Sequence, residues 1–194
     1  AESDPQNLTE EEQKKHGATD SFKKALEEAQ TQLRLVLELQ EQAVDLKEVG
    51  TVRDFNAKRA LLDQAETLTA RPRTVLEDPV AEYRRILQAA GLDELYVRTA
   101  TRTLALRYDS SRNTVPEVFQ KLSARTRSAR GLVDAMASHF GDWSYDSVQR
   151  QFRFESVAAH RDFKQAKERL EQDTQSLDSA MKAWSQINRE KAQA

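Results

Sequence analysis

The chain has 194 residues, 32% of them charged and only 38% hydrophobic, with five glycines, four prolines and no cysteine. That composition excludes disulfides, thiolate catalysis and Cys-ligated zinc, and it contains no apolar run long enough to span a membrane. The net charge of −2 gives no global attraction to nucleic acid or an anionic membrane.

Few helix breakers among many Glu, Gln, Arg, Lys, Ala and Leu residues is the composition of long helices. The modest apolar fraction predicts a mainly α, elongated antiparallel bundle, coiled-coil-like, held by narrow seams. Residues 1–19 are polar and acidic and are expected to form a flexible tail, in which the capping-box spacing Thr9-x-x-Glu12 allows one short helix before Gly17. One domain is expected to follow over 20–192, without cofactor or bound metal.

The first long helix is predicted from Asp20 or Ser21 to Gly50. Its seam runs Phe22, Leu26, Ala29, Leu33, Val36, Gln40, Ala43, in alternating steps of four and three. Thr51-x-x-Asp54 opens a second helix that stops before Pro72, and Asp78-Pro79 opens a third that ends at Gly91. The stretch from Asp93 to Tyr108 suits a strand by its Thr and Val content. Val97, Ala100, Leu104 and Tyr108 also fit a helical face, and helix is the expectation.

Thr114 starts a helix with the seam Phe119, Leu122, Thr126, Ala129, Val133, Met136, Phe140. A last helix after Ser156 carries Phe163, Leu170, Thr174, Leu177, Met181 and Trp184, with Lys167 filling one seam position. At the standard rise it extends for about 50 Å.

Between these two helices the period changes. Trp143, Tyr145, Phe152 and Phe154 recur in steps of two, as strand residues do. A hairpin over about 142–155, with Ser147 to Arg150 as its loop, sets Trp143 opposite Phe154 and Tyr145 opposite Phe152. All four rings then share one face, and Ser144, Asp146, Gln151 and Arg153 share the other. A lone hairpin is marginal in water, so the aromatic face needs a cover. Either the flanking helices supply it, or part of the face accepts a partner. The four rings are therefore the candidate partner-binding residues.

Charge is uneven along the chain. Residues 1–50 carry twelve acidic and six basic side chains, whereas residues 98–130 carry eight basic and two acidic ones. Arg98, Arg102, Arg125 and Arg130 are the candidate anion-binding residues of that basic region. Arg125 and Arg127 point about 200° apart on a helix, which speaks against a phosphate-reading cluster and against nucleic acid.

No phosphate loop, nucleophile elbow or metal-spaced histidine pair occurs. His139, Asp142, His160 and Asp162 near the hairpin base are the one place for a metal or acid–base site, but exposed polar residues at helix ends explain the same pattern and are the expectation. No motif is specific enough to name a family. The expected role is non-enzymatic: a scaffold or assembly protein that binds protein partners or itself through helical faces and the aromatic hairpin. The alternative is an anion-binding module using residues 98–130. The Ala start without Met is that of a processed or a trimmed chain, and together with the lack of cysteine it leaves the compartment open, with a periplasmic or extracytoplasmic place after N-terminal processing as the expectation. A membrane would be reached only through a missing anchor or the basic face.

Overall fold

The computed structural model describes residues 9–71, 74–108 and 114–192, with the side chains of 107–108 and 187–192 left aside. Among them are seven helices and one two-stranded hairpin, in a mainly α fold. The elements are α1 (Glu10–Val44), α2 (Val52–Thr69), α3 (Thr74–Glu77), α4 (Pro79–Ala89), α5 (Glu94–Tyr108), α6 (Thr114–Ser138), β1 (Trp143–Asp146), β2 (Gln151–Phe154) and α7 (Val157–Ala192).

Residue contacts sort the described chain into two compact units. Unit 1 takes the described residues of 1–31, 72–116 and 183–194, and unit 2 takes 32–71 and 117–182.

In unit 1, α1 begins ten residues before the predicted start. The expected tail over 1–19 is therefore helical from Glu10 onward, while residues 1–8 lie outside the described set. Three local terms account for the early start. Glu12 accepts hydrogen bonds from the Thr9 backbone N–H and hydroxyl, both at 2.8 Å, closing the capping box. Lys14 and Lys15 pair one turn back with Glu10 and Glu11. Ala18 is buried in a small core with Leu87, Leu92 and Val97. A glycine inside a helix costs only about 1 kcal/mol, so Gly17 does not end it.

Helix α4 is bounded by its own sequence signals. The Asp78 carboxylate accepts from the Ala81 N–H at 3.0 Å, with Pro79 in the first turn. At the other end Gly91 adopts φ +71, its N–H bonds to Gln88 and the Leu92 N–H bonds to Leu87. This is a Schellman stop, which requires the left-handed conformation glycine adopts without strain. Asp93 then caps α5 through the Tyr96 N–H at 2.9 Å, and the stretch that had strand-like propensity is helical. Burying Val97 and half-burying Ala100 against α4 outweighs the local β preference of Val and Thr.

In unit 2, α1 ends at Val44 rather than Gly50, and Leu46 turns into the core. The chain re-enters a helix at α2, where Asp54 accepts from the N–H groups of Gly50 and Thr51 at 2.9 and 2.7 Å. The core gathers Ala43 and Leu46, Phe55 and Leu62 of α2, Ala129, Leu132, Val133 and Met136 of α6, Trp143, and Leu170 of α7. Ser156 caps α7 by accepting from the Ala159 N–H at 3.0 Å.

Candidate interaction groove beside the hairpin

The hairpin forms in the expected register: Trp143 pairs with Phe154 and Tyr145 with Phe152, and the two strands are antiparallel. Asp146 accepts from the backbone N–H groups of Val148 and Gln149, both at 2.9 Å, and pairs with Arg153. Those bonds hold the Asp146 carboxyl below its ordinary range, with the Gln149 N–H as the main cause. The loop turns through Arg150 at φ 53, a left-handed conformation that side chains other than glycine adopt at a cost.

The four rings are not equivalent. Trp143 is buried, its indole N–H donates to the Met136 carbonyl at 2.9 Å, and its ring meets Phe55, Phe140 and Phe152 edge-on. Phe154 is half-buried, stacked on His160 with centroids 5.3 Å apart and tilted over Phe163 at 4.9 Å. Tyr145 is half-buried and contacts Phe152. The helices of unit 2 thus cover Trp143 and leave the other three rings partly open.

Phe152 is one wall of a groove of about 440 Å³ within unit 2. Its apolar lining is Val44, Leu132, Phe152, Phe163 and Leu170, and its polar lining includes Glu41, Arg125, Lys167, Glu171 and Thr174. Phe163, Lys167, Leu170 and Thr174 follow one another at helical spacing, so they share one face of α7. The groove lies where Lys167 interrupts the apolar seam of that helix. The Lys167 ammonium points to Glu171 at 3.5 Å, and both side chains are more than half exposed.

Arg125 is 5% exposed and belongs to a network joining three helices. Its Nε donates to the Thr174 hydroxyl at 3.0 Å, one terminal nitrogen donates to Gln40 Oε1 and the other pairs with Glu41. The Gln40 amide donates in turn to the Leu122 carbonyl at 3.1 Å and the Thr126 hydroxyl at 2.6 Å. All three guanidinium nitrogens thus have acceptors, as a buried cation requires. Nothing in the sequence reading joined these residues. The available signal was that Gln40, Thr126 and Thr174 are polar residues on the seams of three different helices.

The basic region does not form one cluster. Arg125 lies inside unit 2, and Arg130 pairs with Asp63 at 2.7 Å and Glu66 at 3.1 Å, which raises its pKa further. Arg98 and Arg102 belong to unit 1 and are exposed on α5. Leu95 and Leu106, 73% and 79% exposed, lie on the same side of α5 as these arginines, within about 80° by helical spacing.

At the hairpin base His139 meets Asp162 at 3.0 Å through Nε2 and Asp142 at 3.7 Å through Nδ1. His160 is turned to Phe154 instead, so the four residues do not converge as a metal site would need. Among the described residues no group of three or more His, Asp or Glu is placed to hold a metal ion. The His139–Asp162 contact clasps the end of α6 to the first turns of α7. Asp162 titrates below the usual carboxylate range, first through its bond to His139 and then through Arg161. A carboxylate with a depressed folded pKa contributes stability above its unfolded pKa and loses it as pH falls through the folded one. Asp162→Asn should therefore lower the urea midpoint at neutral pH, and the deficit should vanish in acid below the carboxylate range. A deficit that persists unchanged in acid would assign the effect to packing.

Among the described residues no helix is long and apolar enough to cross a membrane. Comparisons with protein-family models, curated proteins and solved structures returned no match.

Proposed function

We propose that this chain is a non-enzymatic interaction protein, a scaffold or assembly subunit that holds a protein partner in the groove beside its hairpin. The observation that carries this reading is the groove itself. An apolar lining with two half-buried phenylalanines, Phe152 and Phe163, and a few placed polar groups is the make-up of a binding pocket. Aromatic side chains at the edge of a pocket are also the residues that concentrate binding energy at protein interfaces.

The test is a photo-crosslinking residue at Gln175, exposed on the groove edge, compared with one at Gln64, exposed on α2. In cells of the source organism, position 175 should give a discrete adduct that position 64 does not. The adduct mass separates a second copy of the chain from another protein. Val44→Trp, which fills the groove, should abolish the adduct while leaving helicity intact. Identical adducts from both positions, or none from 175, would sink the reading.

A second reading is supported by the stripe on α5. Arg98 and Arg102 have no ion pair among the described residues and are flanked on their face by two exposed leucines. That face suits an anionic surface, with Arg125 and Arg130 playing no part. Sedimentation with anionic vesicles at low salt should then show binding that weakens steeply as salt rises and is lost in Arg98→Glu plus Arg102→Glu. Vesicle binding indifferent to that double change would remove the reading.

A further inference from the structure

The charges that line the groove cancel one another. Arg125 pairs with Glu41, and Lys167 approaches Glu171 at 3.5 Å, so each cation of the lining has a carboxylate of the lining as its partner. Each guanidinium nitrogen of Arg125 has an acceptor in Thr174, Gln40 or Glu41. Glu41, Lys167 and Glu171 are all more than half exposed, so they stand at the margin of the groove. A charged group brought down onto the apolar lining would lose its water and meet no unpaired charge of opposite sign, which is costly.

The apolar lining ends a series of aromatic rings. Phe55 meets Trp143 and Trp143 meets Phe152, both edge-on, and Phe152 meets Phe163 with centroids 5.5 Å apart and planes at 56°. Contacts of this kind set the positive edge of one ring against the negative face of the next. The first two rings are buried, whereas Phe152 and Phe163 are half-buried and both line the groove. The series therefore stops with two partly open rings beside an open space.

We infer that the partner segment held in the groove anchors itself with an uncharged aromatic side chain, which continues the ring series against Phe152 and Phe163. The inference rests on the groove reading above and names the chemistry of its occupant. The balance of charge selects a neutral anchor, because the groove offers no free countercharge to either sign. The rings select an aromatic one: an aliphatic anchor gains burial alone, and a ring gains burial together with edge-to-face contacts. The paired charges at the margin stay in place around it.

The probes are 3-phenylpropanamide, 3-cyclohexylpropanamide, 3-phenylpropanoate and 3-phenylpropylamine. Each is titrated into the millimolar range, and NOEs from the probe to the ring protons of Phe152 and Phe163 place it in the groove. The cyclohexyl ring carries more apolar hydrogen surface than the phenyl ring, so burial alone favours the cyclohexyl amide. Ring contacts should reverse that order, with the phenyl amide binding about fivefold tighter than the cyclohexyl amide and about fivefold or more tighter than either charged probe. Phe163→Leu, which keeps an apolar side chain and removes a ring, should restore the preference for the cyclohexyl amide. Should that variant not fold, the wild-type order of the two amides decides alone. A cyclohexyl amide or a charged probe that binds as tightly as the phenyl amide, or no probe in contact with Phe152 and Phe163, would overturn the inference. The groove reading falls separately, with the adduct at position 175: an adduct there beside any of these results removes the aromatic anchor and leaves the groove standing.

Discussion

Trp143→Ala should destabilise unit 2 by about 3–5 kcal/mol, read as a large fall in the urea midpoint. The indole is 9% exposed and sits where the hairpin meets the core, with ring centroids 6.2 Å from Phe55, 6.3 Å from Phe140 and 5.5 Å from Phe152. Removing it leaves a cavity that three rings on separate elements cannot close together. It also removes the donor to the Met136 carbonyl, one of the acceptors at the end of α6 that no later helical turn can satisfy. Trp143→Phe isolates this second part: it keeps a ring and loses the N–H, so it should cost about 1 kcal/mol more than the change in ring size explains. Val148→Ala, at a side chain 91% exposed on the loop, should fall within about 0.5 kcal/mol of wild type. A Trp143→Ala midpoint near that of Val148→Ala would mean that the hairpin is not docked on the core. The groove depends on the same contact, because Phe152 is held between Trp143 and Phe163. Loss of the indole should therefore also weaken any ligand of the groove.

The hairpin register was legible because the strand period is strict. Steps of two in Trp143, Tyr145, Phe152 and Phe154 leave one pairing that sets each ring opposite another on a shared face, and that pairing is the one observed. The helix caps at Thr51, Asp78, Asp93 and Ser156 were legible for a similar reason: each acts on backbone groups within three residues. The start of α1 was misread because it balances several small terms, a capping box and two ion pairs against one glycine. Its decisive contact, Ala18 with Leu87 and Val97, is distant in sequence. The division into two units was not legible at all. Seams on α1 and α7 continue through the boundary, so a period cannot mark where contacts change partners. The groove left one trace, the Lys167 break in the α7 seam. Arg125 left none, because a helical period gives the face a residue occupies but not the height at which a neighbouring helix meets it.

Gln40→Leu and Arg125→Met, made singly and together, should show strong coupling. Gln40→Leu alone leaves one guanidinium nitrogen of Arg125 without an acceptor in a buried site, and should cost about 3 kcal/mol. Arg125→Met alone strands Gln40 Oε1 but releases Glu41 to solvent, so about 1–3 kcal/mol is expected. Together the two changes replace a polar network by apolar side chains of similar volume. Thr126 keeps its own bond to the Leu122 carbonyl at 3.1 Å, so nothing further is stranded. The double variant should therefore be within about 1 kcal/mol of wild type or above it, a coupling of about 3 kcal/mol or more. Singles that simply add would mean that the three helices do not share the network.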